Sequence, residues 1–201
     1  MDQPMDHPPP TLLSRAPVPR RRFTTDEYHR MGEAGILGPG DRVELIEGEL
    51  VQMSPIGSRH MGTVMLLHRA LARAVGDAAL VSVQNPVHLG DGSEPEPDVA
   101  LLLPRADFYL TAIPQAAEVL LAVEVADTSL AYDQSVKAPL YARHGIPEVW
   151  IVDLSALHVQ VLRTPAGDGY ASTATLGRGG ALPVPGAGGA AIAVRDILPD
   201  V

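Results

Sequence analysis

The sequence predicts an α/β fold, one mixed central β-sheet flanked by helices. Three observations carry that expectation. From Ser58 to Val75 the apolar residues Met61, Val64, Met65, Leu67, Leu71 and Val75 recur at helical spacing. The short apolar runs VALLL, EVLLAVEVA and EVWIVD have the composition of strands covered on both faces. Helical and strand patterns alternate along the chain, as expected for helices layered on a sheet.

The elements follow in order. Residues 1–22, MDQPMDHPPPTLLSRAPVPRRR, read as a flexible Pro/Arg-rich N-terminal arm, with no apolar run of signal-peptide length. The RRR cluster that closes the arm is a candidate phosphate contact. Residues 23–201 then read as one domain, with core motifs at about 43–163. Thr24-Thr25-Asp26-Glu27 is a capping box, so a short helix is expected from about Thr25 to Ala34, stopping at Gly35. VELIEGELVQM reads as two strands turning at Glu47-Gly48. The long amphipathic helix comes next. ALVSVQNPVHL reads as a strand, GDGSEPEPD as a turn, and VALLL and EVLLAVEVA as two more strands. The following stretch, through YDQSVKAPLYARHG, is helical and ends near Gly145. Pro139 either kinks this helix or falls in the first turn of a regular part that starts near Lys137. EVWIVD and LHVQVLRT read as paired strands. The rest is a β-rich C-terminal extension, with short strands expected in YASTATL and AAIAV. Gly186–Gly189 follows no strong strand and opens no helix, so it reads as a loop and not as a phosphate cradle.

Composition narrows the function. With 46% apolar residues in 201, the chain is long enough to bury a core. There is no cysteine, which excludes disulfides and Cys-ligated zinc. A formal charge of -9 argues against coating nucleic acid by bulk electrostatics, but not against a nuclease whose acidic site is neutralised by a cation. No stretch has the length of a membrane span, and a soluble cytoplasmic protein is the expectation. HExxH, GxSxG, P-loop and dinucleotide motifs are absent.

Two carboxylates stand out against this background. Asp98 follows Pro97 at the mouth of VALLL, and Glu124 lies inside LLAVEVA. A carboxylate within an apolar strand is costly unless it is paired or bound to a metal. On neighbouring strands the two would suit Mg²⁺ (or Mn²⁺), with water and a substrate phosphate completing the shell. Lys137 is the only lysine in a chain that otherwise uses arginine. A lysine suits a site that must orient or deprotonate water, because its pKa can move where a guanidinium stays protonated. The bland alternative is a salt bridge between Glu124 and Lys137, and the residues alone leave both open.

PEPDVALLL, LLAVEVADTS and YDQSVKAPLYARHGIPEVWIVD, preceded by TTDEYHRM, ELIEGEL and SPIGSRH, closely resemble the Uma-type restriction-endonuclease family of the PD-(D/E)XK nuclease superfamily. The resemblance runs from about Phe23 to Thr164. It implies a restriction-endonuclease-like core, a divalent metal, hydrolysis of DNA phosphodiester bonds and a homodimer. Carried over, Asp98 is the aspartate of the PD motif and Glu124 the acid of (D/E)XK, together the metal ligands. The lysine expected two residues after Glu124 is Ala126 here, and Lys137 matches the lysine this family carries on the following helix. Glu44 matches the first acid of the family's ELI(D/E)GE stretch, and His60 a recurring histidine, so both join the candidate catalytic set. Tyr141 and Asp133, one turn either side of Lys137, would position its amine or be ordinary helix neighbours. Tyr132 and Trp150 read as packing residues, Asp153 as a turn cap, and Glu47 and Glu49 as turn and solvent residues. The alternative function is a catalytically inactive binding or assembly module on the same fold. Ala126 and the acidic charge favour it, and three intact candidate residues oppose it.

Overall fold

The computed structural model describes residues 19–38 and 40–198. Most of the expected N-terminal arm lies outside the described residues. Within its arginine cluster, Arg21 pairs with Glu27, and Arg22 donates to the carbonyl of Glu47. The Phe23 N–H donates to the Gly48 carbonyl at 2.9 Å. Two of the three clustered arginines are therefore engaged within the domain.

Helix α1 (Thr25–Glu33) starts on the expected capping box, with Thr24 and Glu27 exchanging side-chain to backbone hydrogen bonds at 3.2 Å. Strands β1 (Val43–Ile46) and β2 (Glu49–Gln52) form an antiparallel hairpin. Its two turn residues, Glu47 and Gly48, have φ of 49° and 79°, the paired left-handed geometry of a tight hairpin. A side chain at Gly48 would collide with Arg22.

Helix α2 (Ser58–Val75) has the expected bounds but a narrower apolar face. Its buried residues are Thr63, Val64, Leu67, Leu71 and Val75, whereas Met61 and Met65 are 54% and 64% exposed. The two methionines flank the stripe, and the unbranched thioether side chain tolerates that half-wet position. Leu67→Ala should therefore cost about 2–5 kcal/mol. Met65→Ala should stay within about 0.5 kcal/mol in the same urea titration. Equal losses would show the helix to be rotated.

The central sheet has six strands in the order β3 (Leu80–Val83), β4 (Val99–Leu102), β5 (Val119–Ala126), β6 (Glu148–Asp153), β7 (His158–Ala166) and β8 (Gly169–Gly177). All neighbours are antiparallel except β5 and β6. The parallel pair requires a crossover, supplied by helices α3 (Leu130–Tyr132) and α4 (Ala138–Arg143), joined by a π-helical turn at Asp133–Lys137. The wider turn ends just before Pro139, which has no N–H to give to the preceding turn. Of the two geometries open for Pro139, the chain adopts the one with proline in the first turn of a regular segment. Strand β3 ends at Val83, sooner than ALVSVQNPVHL suggests, because Gln84 turns the chain with φ of 50°.

Side-chain alternation divides the core. Val99, Leu101, Leu121, Val123, Val125, Trp150 and Val152 pack under α2. Ala100, Ala122, Ala126, Val149 and Ile151 pack under α4 with Leu140 and Tyr141. Glu124 is in phase with Ala122 and Ala126, so period two delivers it to the α4 face. Strands β9 (Ala181–Pro183) and β10 (Ala191–Ala193) form a separate two-stranded sheet, linked by the loop that contains Gly186–Gly189. With α5 (Val194–Ile197), this extension adds Leu182, Ile192, Val194 and Ile197 to the α2 cluster. Among the described residues, no helix is long and apolar enough to cross a membrane.

Candidate active site

The antiparallel register sets Val99 opposite Val123. One step outward, Asp98 at the mouth of β4 comes beside Glu124 and Val125 near the end of β5. The Val125 N–H donates to Asp98 Oδ2 at 2.9 Å, His60 Nε2 lies 3.0 Å from the same oxygen, and Gln84 Nε2 donates to Oδ1 at 3.3 Å. The Asp98 carboxylate is thus held by a strand, a helix and a turn.

Glu124 is 3% exposed. The fully buried Tyr141 hydroxyl donates to its Oε1 at 2.5 Å. Lys137 Nζ lies 3.2 Å from Oε1 and 3.3 Å from Oε2. The same ammonium is 3.2 Å from Glu44 Oε2. Glu44 itself accepts from the Glu96 N–H at 3.2 Å and from the Tyr132 hydroxyl at 3.3 Å. Tyr132, read from sequence as helix packing, is in fact a contact of the acid cluster. The π turn is what carries Lys137 inward, since both ends of that turn, Asp133 and Lys137, are buried. Ala126, on the same sheet face as Glu124, supplies only a methyl group to the apolar cluster beneath α4.

These groups open on one cleft of about 420 Å³, lined by Glu44, His60, Glu96, Asp98, Glu124 and Lys137 among others. Six carboxylates line it (Glu44, Glu96, Asp98, Glu124, Asp127, Asp133) against the two fixed cations Arg42 and Lys137. Burial raises Glu124 well above the ordinary carboxylate range, with Lys137 pulling the other way. Burial and the Glu44 charge raise Glu96, and burial raises Asp133. Burial alone would lower Lys137, but Glu124, Glu44, Asp133 and Asp98 outweigh it and hold the ammonium protonated. The hydrogen bond to Asp98 raises His60 against the opposing effect of burial.

The donor set fits a hard divalent cation in chemistry. Two carboxylates meet on paired strands, and the cluster holds more negative charge than its cations balance. Among the described residues, no trio of His, Cys, Asp or Glu is spaced to hold a metal, so the protein would supply few ligands and leave the remainder to water and substrate oxygens.

The other sequence candidates fall as follows. Tyr141 and Asp133 do not touch the Lys137 amine. Tyr141 bonds Glu124, and Asp133 accepts from Ser129 Oγ at 2.7 Å. Trp150 is fully buried, with its ring N–H donating to Glu148 at 2.6 Å. Asp153 accepts the Ser155 and Ala156 N–H groups at 2.8 Å, as a turn cap does. Glu47 sits in the hairpin turn and pairs with Arg143, and Glu49 pairs at 3.8 Å with Arg22. Sequence reasoning missed Gln84, whose only trace was its place before the Asn-Pro pair that breaks the strand.

Comparison with known proteins gives the family and the fold. The family described as "Uma2: Putative restriction endonuclease" matches residues 25–195. A crystal structure from Anabaena variabilis, described as "a putative nuclease belonging to DUF820", superposes with a TM-score of 0.69. That match covers 88% of this chain and 97% of the other at 17% identity, so it speaks for the fold. No curated protein matches the chain.

Proposed function

Since the chain belongs to the Uma2 restriction-endonuclease family, we propose that it is a metal-dependent endonuclease hydrolysing DNA phosphodiester bonds at the Asp98–Glu124 cleft. The observation that carries this reading is the convergence of Asp98 and Glu124 from paired strands onto a cleft with Lys137 between Glu124 and Glu44. Asp98 and Glu124 would hold Mg²⁺ or Mn²⁺. When bound, such a cation supplies Lewis acidity and lowers the pKa of water.

The chain's own residues supply the rest. Lys137 keeps a positive charge at the cleft floor, where it offsets negative charge that develops on a phosphate. Burial makes that charge more effective than it would be in water. Glu44 holds the ammonium together with Glu124 and so fixes its position. His60 holds Asp98 from the first turn of α2. Arg42 on the cleft wall is a fixed cation that would meet a backbone phosphate.

Proton competition tests the reading. Burial raises Glu124, so a proton competes with a cation for its carboxylate. Mn²⁺ affinity measured by titration calorimetry should therefore rise as pH increases above the ordinary carboxylate range, with proton release on binding. An affinity independent of pH, or no binding heat at any pH, would contradict the assignment.

A further inference from the structure

Gln84 stands in a backbone conformation that its residue type does not favour. Its φ is 50°, in the left-handed region where glycine is comfortable and longer side chains are strained. The turn at that point needs a reversal of the chain, which glycine or asparagine would provide at lower cost. A glutamine there calls for a reason in its side chain.

That reason is geometric. The strained turn brings the Gln84 N–H to the carbonyl of Asp98 at 3.1 Å, and its carboxamide to Asp98 Oδ1 at 3.3 Å. The other carboxylate oxygen, Oδ2, already has the Val125 N–H and His60. Gln84 is therefore the one described hydrogen-bond donor to Oδ1. Without it, only the two partners of Oδ2 oppose rotation of the carboxylate about Cβ–Cγ. An asparagine would suit the backbone better, but its side chain is one methylene shorter.

We propose that Gln84 is a positioning residue, which aims Asp98 Oδ1 into the cleft at the cost of backbone strain. This rests on the assignment of Asp98 as a cation ligand. A partner that orients a ligating carboxylate typically contributes 10–100-fold in metal affinity.

Two variants separate this role from that of a simple corner. Gln84→Ala removes the carboxamide and keeps the strain, and Gln84→Gly removes both. Both should lose about 10-fold or more in Mn²⁺ affinity by calorimetry, while Gln84→Gly melts at or above the wild-type temperature without metal. Wild-type Mn²⁺ affinity in Gln84→Gly would overturn the proposal. So would a parallel fall of affinity and melting temperature in Gln84→Gly, which marks a structural corner. If the wild-type protein itself binds no Mn²⁺, the cation assignment of Asp98 fails and this proposal fails with it. Wild-type binding with unaffected variants refutes Gln84 alone.

Discussion

Lys137→Arg is expected to slow Mn²⁺-supported DNA cleavage by about 10²–10³-fold, the usual loss when a donor aimed at developing charge is displaced. The substitution preserves charge, so a solvated helix lysine would tolerate it. Lys137 is not solvated. It is 5% exposed, and its ammonium lies within 3.3 Å of carboxylate oxygens from both Glu124 and Glu44. A planar guanidinium is wider than an ammonium and cannot occupy that position without moving one of the acids. Overpacking should also destabilise the fold by about 1–3 kcal/mol. Rates must therefore be compared at equal folded concentration, established by circular dichroism. Because the displaced acid can be Glu124, itself assigned to the cation, the rates are compared at saturating Mn²⁺. Equal cleavage rates in the two proteins would reduce Lys137 to a salt-bridge partner.

Asp98→Ala is expected to abolish the thermal stabilisation that Mn²⁺ gives the wild type. A ligand that binds only the folded state, at 100 times its Kd, adds about 2.7 kcal/mol. The variant should lose most of that gain. Without metal, the variant should also be less stable, because the Val125 N–H, half-buried Gln84 and His60 lose their acceptor. The informative quantity is thus the Mn²⁺-induced shift within each protein, measured by scanning calorimetry. Equal shifts in wild type and Asp98→Ala would place the cation elsewhere.

How far the sequence revealed this arrangement depends on what each residue's role requires. Glu124 was conspicuous because a charge in an apolar strand has few inexpensive explanations, and strand alternation was enough to place it on one face. The long helix and the capping box were legible because both are local patterns, and α1 and α2 start where expected. Met61 and Met65 were misplaced because spacing alone does not say how wide a helix stripe is covered. The π turn was not legible, since its i to i+5 bonding leaves no periodic signature, yet it is what turns Lys137 inward. Tyr132 was sorted as packing because its contact with Glu44 spans 88 positions of sequence. Gln84 was invisible for a related reason, as its interest lies in a backbone angle and in a partner from another strand.

The central claim is that a divalent cation at Asp98 and Glu124 drives phosphodiester cleavage. The most direct measurement is the conversion of supercoiled plasmid to nicked or linear DNA, with wild type and Asp98→Ala compared at equal folded concentration. Each is run with Mn²⁺ and with a chelator. The account predicts cleavage only by wild type and only with Mn²⁺. Cleavage by Asp98→Ala at the wild-type rate, or cleavage that survives the chelator, would contradict it. Intact plasmid in every reaction would also contradict it, and would favour a nuclease fold kept for binding.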